Sequence, residues 1–332
     1  MSSPSRAAAF VALLLALCKG LDDLYDAAAR RDPTVKVNWI FAQDSQHFDF
    51  VVLGSSRAYH TVDIPTVERA VGGTGENLGL NGAAFPELSL LLDRFLAHNT
   101  TKRIALEVDP FGFDRRWLHD QLHAYLYLPY IDEPIISDYL EEYFGPRELA
   151  WEFVPLFKYA EYNERIGLRS VLDWVRHPPP EFDAWGSRLS GGRMSDSAVR
   201  AIVDTTYGIE EKRVLAFERI LDIAVLRHVR VTMFMAPQFT GSARAVRNRE
   251  QILAFYRELA RRRRIGFITF DDPDIENDQS LFSDGEHLNK AGALKFSPRL
   301  GAALRALWSA EDSAAAAKRD GRPTPGEAQR PK

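Results

Sequence analysis

The chain lacks most of the features that identify a function directly. One cysteine, Cys18, in 332 residues excludes an internal disulfide framework and a cysteine-based zinc site. A formal net charge of −4 supplies no overall basic field, so nucleic acid is not an expected partner. The densest basic run, Arg261 to Arg264, closes a predicted helix, where cations suit the macrodipole. No internal repeat is present. No apolar run reaches the roughly 20 residues that a membrane-spanning helix requires.

What the chain does have begins at its N-terminus. Arg6 precedes AAAFVALLLAL, residues 7–17, an unbroken apolar run of the size of a signal-peptide or signal-anchor core. LALC (15–18) approaches a lipobox, but Leu17 stands where a small residue is wanted. The run predicts an exported, periplasmic or inner-membrane-anchored protein, with membrane contact through residues 7–17. An ordinary amphipathic or buried first helix, in a cytoplasmic protein, is the alternative.

Beyond a leader and connector over residues 1–35, five short apolar segments alternate with helical patterns. The strand-like segments are FDFVVLG (48–54), ENLGL (76–80), RIALEV (103–108), VRVTMFMAP (229–237) and IGFITFDD (265–272). Helices are expected after Asp63 and over 85–98, 197–226, 242–264 and 289–308, the last with Pro298 near a bend. Residues 111–195 interrupt the alternation and are crowded with Trp, Tyr and Phe. They read as an inserted helical cap or lid whose aromatics form its own core. The main domain is expected over 36–309, and 310–332, without a periodic apolar face, as a disordered tail. Such alternation means right-handed βαβ units and a parallel sheet with helices on both faces.

Ligands of such sheets bind beyond the carboxyl ends of the strands, and the unusual residues gather there. Gly54-Ser55-Ser56-Arg57 follows the first strand, Asn81-Gly82 the second and Asp109 the third, and FSDGEHLN (282–289) lies beyond the fifth. A serine at a strand-to-helix turn presents its hydroxyl at the sheet edge. Asp284 and His287 are three residues apart, a spacing that lets the carboxylate fix the imidazole tautomer and leaves the other ring nitrogen for the serine. His119 and His123 would share a helix face, but no third metal ligand is in view.

These blocks, in this order, resemble the SGNH (GDSL-type) hydrolase superfamily. Gly54-Ser55-Ser56 is similar to its first block, Asn77 to Ala83 to its second, and Asp284, His287, Asn289 and Gly292 to its last. The resemblance covers about residues 48–110 and 228–308 and implies a flavodoxin-like, three-layer α/β fold. It also implies Ser56 as nucleophile, His287 as base and then acid, and Asp284 as orienting carboxylate. The amides of Ser56 and Gly82 would form the oxyanion hole, and no cofactor would be required. Ser55 stands where relatives carry aspartate and is expected to shape the loop, as is Asn77.

The chain departs from the family at Asp109, which occupies the place of the third block's asparagine. An ionised carboxylate there would oppose a developing oxyanion. Asp109 could be protonated, it could pair with Arg57, or Asn81 could substitute as donor; the Arg57–Asp109 pair is the favoured expectation. Arg57 is otherwise a structural ion-pair partner or a binder of an anionic substrate group. LGSSR, the missing asparagine and the apolar leader look most like exported or anchored SGNH-like proteins of bacterial surface-polymer acylation. That likeness implies an acyl ester on a glycan or polyol, such as an O-acetyl group, and a membrane-bound acyltransferase partner. It leaves open hydrolysis or transfer of the acyl group. The rival expectation is a non-catalytic envelope protein that binds a glycan or a partner.

Overall fold

The computed structural model describes residues 3–114, 116 and 120–319. Five parallel strands form the central sheet: β1 Phe50–Leu53, β2 Gly75–Asn77, β3 Arg103–Glu107, β4 Arg230–Met235 and β5 Gly266–Thr269, in the order β2-β1-β3-β4-β5. Side chains along a strand alternate between faces, and two separate apolar clusters follow that alternation. Val51, Leu53, Ile104, Leu106, Met233 and Met235 belong to one cluster. Phe50, Val52, Ala105 and Phe234 belong to the other. The helices Phe85–His98 and Glu211–Leu226 cover the first face, and Ile64–Val71 and Lys290–Arg319 cover the second. The arrangement is α/β, compatible with three layers; β1, β2 and β3, and β4 beyond Arg230, are buried on both faces, as a parallel sheet requires, while the edge strand β5 is only partly buried.

Several boundaries differ from the sequence reading. β2 ends at Asn77 because the Asn77 side chain accepts from the Gly79 amide at 2.8 Å and turns the chain. The expected helix 242–264 is split into Thr240–Ala245 and Arg249–Arg263, because Val246 forms a bridge with Thr205. The expected helix 197–226 is also split, into Asp196–Arg200 and Glu211–Leu226. The last helix runs from Lys290 to Arg319, so residues 310–319 are helical rather than a disordered tail. Ion pairs explain the extension: Arg103 meets Glu311 at 3.0 Å and Asp312 at 2.7 Å, and Arg230 meets Asp312 at 2.7 Å. Pro298 lies inside this helix. The remaining tail, 320–332, lies outside the described residues, as does His119.

The insertion between β3 and β4 carries its helices over Asp120–Arg176. Its aromatics do not form a separate core. Tyr127, Tyr139 and Trp151 are buried in the same cluster as one face of the sheet. Its helices pack beside the helix Phe85–His98 and the base of the first helix, Ser3–Ala29. The chain then returns as an irregular strap, residues 183–194, pinned to the sheet edge. Asn77 N donates to Trp185 O at 2.9 Å, Arg188 N to Tyr59 O at 2.9 Å, and Met194 N to Phe282 O at 2.7 Å. The strap thereby ties the end of β2 to the helix after β1 and to the loop that carries His287.

The turn after β1 has room for glycine only. A Cβ at position 54 would lie 2.8 Å from the Cβ atoms of both Ala58 and Glu107, closer than packed carbons tolerate. Gly54→Ala is expected to lower stability by about 1–3 kcal/mol, read as a fall in the urea midpoint without a change in the slope.

Candidate active site

The helix after β1 begins at Ser56, and Ser55 caps it. Ser55 Oγ accepts from the Arg57 amide at 3.3 Å and donates to Asp109 Oδ2 at 3.1 Å. Capping supplies an acceptor for an otherwise orphaned amide, so Ser55 is engaged in shaping the turn. Ser56 is left with its hydroxyl toward the far loop, where His287 Nε2 lies 2.7 Å from Ser56 Oγ. On the other side of the ring, His287 Nδ1 lies 2.9 Å from each oxygen of Asp284. The amides of Glu286 and His287 also donate to Asp284, at 2.8 and 2.9 Å. A carboxylate on Nδ1 fixes the proton there and leaves Nε2 as an acceptor for the serine hydroxyl. Burial pushes the Asp284 carboxyl up, but the His287 imidazole and the two amides outweigh it and bring it down to about 2. Asp284 is therefore ionised at neutral pH.

The second sequence block supplies the neighbouring wall. Leu80 N donates to Gly54 O at 3.1 Å, which holds the Asn81-Gly82 turn against the serine turn. Gly82 has φ +75°, in the left-handed region that glycine accepts without strain. Among the described residues neither the Ser56 nor the Gly82 amide donates to a protein acceptor. Asn77 Nδ2 donates to Ala58 O at 2.9 Å and to Ser187 Oγ at 3.1 Å, joining the serine helix to the strap. In the His287 loop, Asn289 Nδ2 donates to Ser280 O at 2.7 Å, and Asn289 Oδ1 accepts from the Gly292 amide at 3.1 Å.

The expected Arg57–Asp109 pair is not formed. Arg57 is fully buried and points beneath the serine turn, so it is unavailable to any substrate anion. Its Nε meets Glu107 at 3.0 Å, and a terminal nitrogen lies 3.5 Å from the Glu286 carboxylate. Its remaining donors reach the carbonyls of Glu286 and Ala236. Glu107, the last residue of β3, lies two positions before Asp109 and takes the guanidinium first. Asp109, 5 % exposed, has among the described residues only Ser55 as a side-chain hydrogen-bond partner, and its Oδ1 is buried with none among them. Burial and the nearby Glu107 charge outweigh Arg57 and push the Asp109 carboxyl up to about 8. Of the three resolutions, the geometry favours a protonated Asp109. The Asn81 side chain is exposed at the turn before Gly82.

His60, Glu107 and Glu286 are the site residues that sequence reading missed. His60 stands one helical turn after Ser56, and its Nδ1 lies 2.8 Å from Arg188 O. A carbonyl can only accept, so Nδ1 carries the proton. The ring meets His287 edge-on at 5.5 Å, and burial lowers its pKa below the ordinary 6.5. The four-residue spacing from Ser56 was the available signal. His123, once paired with His119 on spacing, instead contacts the buried Glu87 at 3.0 Å.

No family model matches the chain, and no curated protein matches it.

A carboxyl with a raised pKa in the fold keeps a proton that the unfolded chain releases near the ordinary value of 3.8. Between about pH 4 and 8 the folded state therefore binds more protons, and stability falls as pH rises. Asp109→Asn removes this group's contribution. The decline in stability from pH 5 to 8, followed by urea denaturation, is expected to be shallower in the variant. An equal or steeper decline would place an ionised Asp109 in the wild-type protein.

Proposed function

We propose that the protein is a serine-dependent acyl-ester hydrolase or acyltransferase of the SGNH type. The observation that carries the reading is the hydrogen-bonded series Ser56–His287–Asp284, assembled across 231 residues of sequence at the carboxyl edge of the sheet. It stands where β1 and β3 diverge to opposite sides, the position at which sheets of this strand order bind their ligands. The 2.7 Å approach of His287 to Ser56 is within reach for proton transfer in the ground state.

The chemistry follows from that geometry. Ser56 Oγ attacks the ester carbonyl carbon, and His287 Nε2 takes the hydroxyl proton. The negative charge gathers on the former carbonyl oxygen, beside the amides of Ser56 and Gly82. When the tetrahedral adduct collapses, the carbon–oxygen bond to the alcohol breaks and His287 returns the proton to that alcohol. A water or sugar hydroxyl then attacks the acyl-Ser56, giving its proton to His287, and collapse restores the Ser56 hydroxyl. Asp284 holds the tautomer and balances the imidazolium. A protonated Asp109 places no charge near the oxyanion. An O-acyl group on a glycan or polyol is the substrate class that the resemblance suggests. Product analysis with an added glycan separates transfer, which yields acylated glycan, from hydrolysis, which yields free acid.

With p-nitrophenyl acetate as substrate, Ser56→Ala is expected to fall to the uncatalysed rate. His287→Gln should lose about 10²–10⁴-fold in kcat/KM, whereas Asp109→Asn retains the wild-type rate or exceeds it. A folded Ser56→Ala protein that hydrolyses the ester at the wild-type rate would overturn the reading, and a folded wild type without activity would favour a binding role.

We also propose that the first helix holds the protein at a membrane surface. Phe10, Leu13 and Leu17 on this helix are 60 % exposed or more, and the apolar stretch covers the whole helix circumference, a pattern that water does not favour. Arg6 and Lys19 flank it. Among the described residues no helix is long and apolar enough to cross a membrane. Full-length protein is expected to float with vesicles of phosphatidylethanolamine and phosphatidylglycerol, and a variant lacking residues 3–18 to remain in solution. Equal flotation of the two would remove this helix from membrane binding.

A further inference from the structure

A cavity of 290 Å³ opens between the insertion and the sheet edge, next to the serine site. Two of its lining residues connect it to that site. Asn81 immediately precedes Gly82, and Tyr59 lies one turn after Ser56 on the same helix. Its outer wall comes from the insertion and the strap, which place Arg165, Arg169 and Arg188 around one opening.

The charges there are unequally matched. Arg188 pairs with Glu181 at 2.8 Å, and both remain partly exposed. Arg169 reaches Asp173 only at 3.5 Å. Arg165 stacks over the Tyr125 ring at 5.8 Å, and among the described residues no carboxylate forms an ion pair with it. The other lining carboxylate, Asp32, accepts from the amide and hydroxyl of Thr34, at 2.9 and 2.7 Å. The lining cation Lys36 is buried and donates to the carbonyls of Gly79 and Gly186. The opening is thus left with guanidinium groups whose planar donor forks match carboxylate and phosphate oxygens.

We propose that this cavity binds an anionic group of the acyl-bearing substrate, a carboxylate or a phosphate, on a unit neighbouring the one whose ester meets Ser56. The proposal deepens the ester-processing reading and rests on it for the identity of the ligand as substrate. It also gives the insertion a task, because two of the three arginines belong to it: Arg165 lies in the turn before the helix Leu168–Arg176, and Arg169 in that helix's first turn. Arg57, the arginine nearest the nucleophile in sequence, is sealed beneath the site and cannot perform this role.

The test is binding to full-length Ser56→Ala protein, where turnover cannot obscure affinity. Calorimetric titration uses three probes: trigalacturonate for the carboxylate source, a glycerol phosphate trimer for the phosphate source, and maltotriose as the uncharged control. One of the two anions is expected to bind at least about tenfold more tightly than maltotriose. That preference should fall by about tenfold or more in Arg165→Gln/Arg169→Gln, a change equivalent to about 1.4 kcal/mol. Both arginines are exposed, and an unchanged melting temperature would establish that the double variant is folded. Equal binding of maltotriose, no binding of either anion, or unchanged anion affinity in the double variant would overturn the proposal. Anion binding by a protein whose Ser56 proves unreactive would instead sink the ester reading and leave the anion site standing.

Discussion

The site is organised around one buried cation. Arg57 lies wholly inside the protein and gathers the Glu107 carboxylate at the end of β3, the Ala236 carbonyl just beyond β4, and both the carbonyl and carboxylate of Glu286 in the His287 loop. Arg57 itself follows Ser56. A single guanidinium therefore joins the Ser56 turn, two further strand ends and the His287 loop. Burying an ion is costly unless every donor finds an acceptor and an opposite charge lies close. The fold meets that condition with chain segments whose relative positions set the Ser56–His287 distance. Leaving Glu107 buried without Arg57 would expose the other half of the same constraint, an unpaired carboxylate in an apolar interior.

One cation cannot balance three carboxyls. Glu107 takes the direct pair, Glu286 shares its charge with Gln238 Nε2 at 2.6 Å, and Asp109 remains. Proton retention by Asp109 is the response to burial beside a like charge. Under the proposed ester chemistry, this accounts for an aspartate in a position where a full negative charge would oppose oxyanion formation. A neutral carboxyl is close in shape to an asparagine amide, and it leaves the Ser55 contact intact.

The candidate site residues were legible because they follow strand ends, and strand ends are marked by glycine, serine and asparagine clusters. Ser56, Asp284 and His287 fall together for that reason, and the alternation of apolar segments anticipated the five-stranded parallel sheet. The partner of Arg57 was not legible. A glutamate within the apolar run RIALEV gives no sign of being fully buried, so the charge next in view, Asp109, was paired instead. The breaks at Val246 and after Arg200 arise from a bridge between distant segments, Thr205 with Val246, which no local propensity encodes. The continuation to Arg319 depends on arginines at the starts of β3 and β4, likewise far away in sequence. The aromatic insertion read as self-contained because composition cannot tell a private core from one continuous with the sheet.

The insertion and its strap give the sheet edge a second wall. They hold the serine helix through Asn77 and Ser187, hold His60 through the Arg188 carbonyl, and carry arginines to the adjoining cavity. The central claim nevertheless rests on a smaller feature, the activation of one of two adjacent serines by His287. Treating the full-length protein with a fluorophosphonate and mapping the adduct by peptide mass spectrometry addresses it most directly. The account predicts one stoichiometric adduct on Ser56, abolished in His287→Gln and absent from Ser55; a folded protein that remains unlabelled, or carries the adduct on Ser55, would contradict it.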